Sequence, residues 1–359
     1  MNALLALPFW WRLLLALGIS FVVCFAATPA VKRMAYKVGA VDVPKDNRRM
    51  HDHPIPRLGG LAIALSFLLT TILLVKLDRQ MQGILLGSII IVVLGVLDDS
   101  LTLPALPKFI VQILAAVVVV AHGCTIRYVT NPFSSEIGEC IDLGAMSVPV
   151  TIIWIVTITN AVNFIDGLDG LAVGVSGISA ATMLVIALLV AERNVAIIMA
   201  ALLGACLGFI PYNFNPAKIF MGDTGATFLG FIMATMCVQG MFKLYAIISF
   251  AVPFLILGVP IFDICFAVLR RLAKHQNPMT ADRGHIHHRL IDMGFSQKQT
   301  VAITYTLTGI LGLAAVLLTG SGEVKTLILI GAVIVVGALG ISVIFGPIHR
   351  PGGKEDSGE

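Results

Sequence analysis

Charge is what this chain has least of. Asp, Glu, Lys and Arg make up 12% of its 359 residues, against about 25% in an ordinary soluble domain. A soluble fold of this composition could not cover its surface with polar groups. A nucleic-acid binder or a disordered chain would need far more charge, so all three classes are excluded. Metal and nucleotide signatures are missing too. The six cysteines, at 24, 124, 140, 206, 237 and 265, form no CxxC or other metal spacing, and most lie in apolar runs as small core residues. No HExxH offers a zinc site, and no GxxxxGK[ST] offers a P-loop. Repeats and low-complexity segments are absent. What fills the space is apolar sequence, 58% of the chain, which reads as an all-α polytopic membrane protein.

A run of about 20 apolar residues spans the hydrocarbon. Eleven candidates are present: 13–31, 58–75, 81–97, 109–122, 148–164, 171–191, 195–214, 224–242, 244–269, 300–319 and 326–346. The ninth is long enough to kink at Pro253 or Pro260. No Lys or Arg precedes Arg12 and the first run is long, so it is read as a retained helix rather than a signal peptide. Residues 1–349 form one integral membrane domain on this reading, and 350–359 a polar, disordered cytoplasmic tail.

Lysines and arginines orient the spans. The loops after spans 1, 3, 5, 7 and 9, with the C-terminal tail, hold 17 of the 24, so that side is cytoplasmic and the N-terminus lies outside. The longest exterior segment, 123–147, alternates as a short hairpin would. It contains Cys124 and Cys140, between which a bridge is open if that side is oxidising. The other exterior loops are short and featureless. Every constellation capable of chemistry falls on the cytoplasmic face.

Three of those constellations are acidic. Asp98 and Asp99 end the run IIIVVLGVLDDS, at the negative pole of a helix dipole, where a cation should compensate. Lys108 is one candidate and a divalent cation another; a plainly solvated helix end is the bland reading. NAVNFIDGLDG sets Asn160, Asn163, Asp166 and Asp169 three residues apart. If helical, that spacing puts all four on one face. Gly167 and Gly170 permit a turn or the close approach of a phosphate, and an Asx-rich turn is the alternative. FMGDTG places Asp223 between glycines before span 8, where it looks like an N-cap. Such a carboxylate-rich interface suits a hard cation such as Mg²⁺ completed by substrate phosphates.

Two constellations are basic. KDNRRMHDHPIPR covers residues 45–57 and ends at Arg57; positive-inside anchoring accounts for it equally well. The second, at 270–289, includes His285, His287, His288 and Arg289, denser in histidine than anchoring requires. Zinc is an alternative without nearby Cys, but imidazole and guanidinium donors clamping a polyphosphate fit better. The combination suggests a phosphate-bearing substrate and Mg²⁺ at the membrane surface.

DD at 98–99, NAVNFIDGLDG at 160–170, FMGDTG at 220–225 and DRGHIHHRL at 282–290 resemble the polyprenyl-phosphate N-acetylhexosamine-1-phosphate transferases, in order and over essentially the whole chain. The single run HIHHR and the segment HDHPIPRLGG look like the WecA/TagO type, which uses UDP-GlcNAc to initiate teichoic acid or other surface polysaccharides. The resemblance implies transfer of GlcNAc-1-phosphate from UDP-GlcNAc to undecaprenyl phosphate, with release of UMP, in the bacterial plasma membrane. It implies Asp98 and Asp99 as a catalytic pair, Asp223 as a catalytic Mg²⁺ ligand with Asp166 beside it, and Mn²⁺ as a substitute. Asn160, Asn163, Asp166 and Asp169 would serve the nucleotide and metal site. His285, His287, His288 and Arg289 would hold the diphosphate or sugar, and Lys108 and Arg57 resemble basic positions of the family. The phospho-N-acetylmuramoyl-pentapeptide transferases are the runner-up. Outside the family, an ion-coupled transporter also gathers intramembrane acids, though near the midplane, and a lipid-phosphate scaffold would not need so many carboxylates. GxxxG at Gly204 and Gly208 permits close helix packing, within a chain or in a homodimer.

Overall fold

A computed structural model describes residues 2–43, 53–130, 140–241, 248–273 and 284–319. The eleventh span, the polar tail and most of the first basic cluster lie outside the described residues. A short turn, α1 (Asn2–Leu5), precedes α2 (Phe9–Val38). Then β1 (Val41–Asp42) pairs antiparallel with β2 (Ile55–Pro56), and α3 (Gly60–Leu74), α4 (Arg79–Leu101) and α5 (Ala105–Ala121) follow. The hairpin expected outside is present as β3 (Tyr128–Thr130) against β4 (Cys140–Asp142), with Tyr128 opposite Asp142. After it come α6 (Ser147–Phe164), α7 (Leu171–Leu189), α8 (Arg193–Asn213) and α9 (Gly222–Met236), the last extended by a π turn over Cys237–Met241. The described chain closes with α10 (Ile248–Ile256), α11 (Gly258–Ala273), α12 (Ile286–Asp292) and α13 (Gln297–Thr319).

Six of these helices are long and apolar enough to cross a membrane, with α3 and α5 shorter but apolar. The interruption between α10 and α11 falls at Leu257. Pro260 has no N–H to offer the Ile256 carbonyl, so the ladder breaks one turn before it. Asp78, outside the predicted third span, caps α4 by accepting the Met81 N–H (2.8 Å). Cys124 is buried, Cys140 is exposed and both are free thiols; the bridge left open by the sequence is not formed, because Cys124 packs inward toward the Thr235 carbonyl.

α9 is the axis of the bundle. Every residue from Thr224 to Met236 is buried, as expected of a helix apolar all round, and α4 and α6 pack along it. α8 lies between α2 and α7. The GxxxG glycines are spent within the chain: a Cβ on Gly208 would lie 2.5 Å from the Phe21 carbonyl oxygen of α2, and one on Gly204 would meet the Leu17 carbonyl. Gly208→Leu should therefore force α2 away from α8. Overpacking of this kind costs about 1–3 kcal/mol, and thermal unfolding in detergent should show a lowered melting temperature. A variant that keeps the parental melting temperature but changes its oligomeric state would move this contact to a dimer interface.

Candidate active site

The ends of α4, α6, α8 and α11 and the starts of α3, α5, α7, α9 and α13 meet at one end of the bundle, where the motifs gather. α4 carries Asp98 and Asp99 into its last turn, and both are buried. Lys108, one of the two cations expected there, is present, and Arg57 adds a second positive charge. Lys108, near the start of α5, donates from Nζ to Asp98 Oδ2 (2.7 Å) and to Asp223 Oδ2 (3.1 Å). Arg57 follows β2 and donates to two α4 carbonyls, Nε to Asp99 (3.2 Å) and Nη2 to Asp98 (3.4 Å). The bond to Asp99 satisfies a carbonyl that the helix C-terminus leaves free, whereas the Asp98 carbonyl also accepts the Thr102 N–H (2.8 Å), and the guanidinium charge offsets the helix dipole. Asp98 Oδ1 accepts the Leu103 N–H (2.7 Å) just past the helix.

Asp99 is committed elsewhere. Its Oδ1 accepts the Asp223 N–H (3.0 Å), and its Oδ2 accepts the Thr224 N–H (3.0 Å) and hydroxyl (2.6 Å). Asp99 thus caps α9 from another helix. Asp223, expected as the N-cap, lies inside the first turn instead, and Met221 at the cap position makes no side-chain cap bond. Gly222 explains the arrangement. Its φ of +70 is a left-handed turn that glycine adopts freely, and a Cβ there would lie 2.6 Å from Asp99 Oδ2 and against the Arg57 carbonyl. With the cap supplied from α4, the Asp223 carboxylate is free to face Lys108 and remains 34% exposed.

The four-residue face predicted over NAVNFIDGLDG is only half formed. α6 ends at Phe164 and a turn carries the chain to Gly170, whose φ is +78. Asn160 and Asn163 are helical; Asp166 and Asp169 are not. Asn160 is locked to Gln112 of α5 through Nδ2 (2.6 Å) and to the Val156 carbonyl (2.8 Å). Asp169 turns away to accept from Asn215 Nδ2 and the Ala217 N–H, both at 3.0 Å. Neither residue was expected to brace helices and loops, and neither Gln112 nor Asn215 was singled out from the sequence. Asp166 and Asn163 keep side chains with no hydrogen-bond partner among the described residues. Burial raises the Asp166 pKa to about 8, helped by the charges of Asp223, Asp99 and Asp169.

The histidine loop closes over this turn. His287 is buried and lies against Gly167, where a Cβ would collide with its ring; the close approach allowed by that glycine is an imidazole. Burial, with His288 and His285 nearby, lowers the His287 pKa to about 3, so this ring is neutral and packs rather than carrying charge. His288 sits 4.3 Å from His287, ring centre to ring centre. The pKa of Arg289 is lowered by burial and by the neighbouring charge of Arg270. His285 is buried, and its Nδ1 lies 2.7 Å from Asp263 Oδ2 of α11.

Asp98, Asp99, Asp166 and Asp223 thus share a site with Lys108 and Arg57, four carboxylates against two cations. Among the described residues, no group of three or more His, Cys, Asp or Glu forms a ready-made metal cage. The donors suit a hard cation gripped by one or two carboxylates and completed by phosphate and water, with Asp166 and Asn163 open and Asp223 partly exposed beside Lys108.

Comparison with known proteins agrees with this geometry. Residues 81–241 match the glycosyl transferase family 4, a stretch that contains every acidic motif. The chain is 40% identical over 308 residues to "Probable undecaprenyl-phosphate N-acetylglucosaminyl 1-phosphate transferase" of Bacillus subtilis, covering 86% of this chain and 85% of that one. It is 33% identical to decaprenyl-phosphate N-acetylglucosaminephosphotransferase of Mycobacterium tuberculosis, over 88% of this chain and 85% of the relative. Phospho-N-acetylmuramoyl-pentapeptide-transferase of Staphylococcus aureus is 30% identical over 84% of this chain and 97% of the relative. The chain belongs to the polyprenyl-phosphate N-acetylhexosamine-1-phosphate transferases. It is a multi-pass bacterial membrane protein.

Proposed function

We propose that this protein transfers GlcNAc-1-phosphate from UDP-GlcNAc to undecaprenyl phosphate, giving undecaprenyl-diphosphate-GlcNAc and UMP. The observation that carries the reading is the 40% identity over 86% of the chain to the Bacillus subtilis relative, extending through a site where acidic turns and the histidine loop meet. We place the reaction at the cytoplasmic face, with the N-terminus outside and eleven spans, as the initiating step of teichoic acid or another surface polysaccharide. The muramoyl-pentapeptide alternative is the weaker match at 30% identity.

A phosphate monoester has a second pKa near 6, so the acceptor is largely dianionic at neutral pH. One of its oxygens forms a bond to the β-phosphorus of the nucleotide sugar, while the bond from that phosphorus to UMP breaks. Two anions must meet, so neutralising charge matters more than removing a proton. Lys108 and Asp98 stand where the acceptor phosphate would be oriented. Asp223, Asp166 and Asn163 would hold Mg²⁺, with Mn²⁺ able to substitute, and the bound ion would neutralise charge on the diphosphate as UMP leaves. Arg289 and its neighbours would bind the donor from the other side. Asp99 positions Asp223 through the α9 backbone. Single displacement fits this arrangement without an aspartyl-phosphate intermediate.

Purified protein in detergent, given radiolabelled UDP-GlcNAc, undecaprenyl phosphate and Mg²⁺, should form lipid-extractable label and release one UMP for each sugar. UDP-MurNAc-pentapeptide should give neither. Label that stays water-soluble with folded protein would reject the transferase reading, and would leave an ion-coupled transporter to be tested by uptake into vesicles.

A further inference from the structure

Asp263 has no place in the reaction described so far. It sits in the predicted ninth span and is 2% exposed, a depth at which an ionised carboxylate is costly unless partnered. Both of its oxygens are used on the histidine loop. Oδ2 lies 2.7 Å from His285 Nδ1, and Oδ1 accepts the Ile286 N–H at 2.7 Å. The residue just before is also gripped from α11, where Arg270 Nη1 donates to the Gly284 carbonyl (2.7 Å). The His285 ring is then fixed on its remaining sides. Phe164, at the end of α6, is 5.7 Å away, and His287 lies parallel at 5.9 Å and 8°. The ring's other nitrogen, Nε2, has no hydrogen-bond partner among the described residues.

We infer that Asp263 is a positioning residue that acts through His285, fixing the ring and its tautomer so that Nε2 is presented as a hydrogen-bond acceptor to a hydroxyl or amide N–H of the nucleotide sugar. This rests on the transferase reading above. A carboxylate only accepts hydrogen bonds, so Nδ1 carries the proton and Nε2 is the edge left for substrate. The backbone bond to Ile286 sets where α12, and with it Arg289, begins.

Asp263→Asn separates these roles. The amide oxygen can still accept the Ile286 N–H and keep the loop in place, but the amide N–H₂ facing Nδ1 demands the opposite tautomer. We expect Asp263→Asn to lower kcat/KM for UDP-GlcNAc about thirtyfold, chiefly through KM, with the melting temperature near the parent's. In a His285→Ala background the same substitution should change kcat/KM less than threefold, because a residue acting through another has nothing left to act on. A thirtyfold loss in both backgrounds, or parental activity of Asp263→Asn alone, would overturn the inference. A second readout does not depend on turnover or on the variant at 263 folding. In protein labelled with ¹⁵N-histidine, the imidazole signal missing from His285→Ala should show a protonated, hydrogen-bonded Nδ1. An unprotonated Nδ1 there would overturn the inference, whereas an inactive parent with this signal in place would count against the transferase reading alone.

Discussion

Asp223→Asn should lower turnover by a factor on the order of 100 or more while leaving the melting temperature close to the parent's. The expectation follows from how α9 begins. Its first N–H groups are satisfied by Asp99, through the Asp223 and Thr224 backbone, so the side chain at 223 plays no part in capping and its amide replacement leaves the helix start intact. What the substitution removes is a full negative charge beside Lys108 and Asp98, in a site proposed to gather Mg²⁺ against a diphosphate. Raised Mg²⁺ or Mn²⁺ should restore part of the activity through Asp166 and the remaining carboxylates. The rise in melting temperature that added Mg²⁺ gives the parent by mass action should be smaller in the variant. Near-parental activity of Asp223→Asn at low Mg²⁺ would remove Asp223 from the metal site.

The apolar helices were legible because a membrane imposes one rule on length and composition. Ten of the eleven apolar runs coincide with described helices or, at 244–269, with the pair split at Leu257. The eleventh lies outside the described residues. The motif positions were legible for a different reason: carboxylates at the ends of apolar runs are costly enough to stand out. Their individual roles were not. Three-residue spacing placed Asp169 on a face with Asp166, yet α6 stops at Phe164 and Asp169 braces the 215–217 loop. Asn160 looked like a site ligand and is paired with Gln112, a partner 48 residues away that no local pattern reveals. Asp263 was the one signal available and passed over. An acid inside an apolar run is by default a functional candidate, but its partner, His285, is 22 residues on.

Asp99 yields the second large effect. The family resemblance implies it as one of a catalytic pair, and in the structure both its oxygens serve the start of α9. If it is a positioning residue, Asp99→Ala should damage the fold and the chemistry together. Three donors at the buried α9 start, two backbone N–H groups and the Thr224 hydroxyl, would lose their acceptor. Each buried polar group left unsatisfied costs about 1–3 kcal/mol, although water entering the space would recover part of it. The melting temperature in detergent should fall by several degrees, and activity per folded molecule by at least tenfold as Asp223 loses its anchor. Asp99→Asn keeps one acceptor oxygen but aims an amide N–H₂ at a backbone donor, so it should fall between the parent and Asp99→Ala in both measurements. Asp223→Asn should differ in kind, losing activity while keeping stability. If Asp99→Ala instead melts with the parent and is still inactive, the carboxylate must touch the reacting groups, and the cap on α9 is incidental to its role.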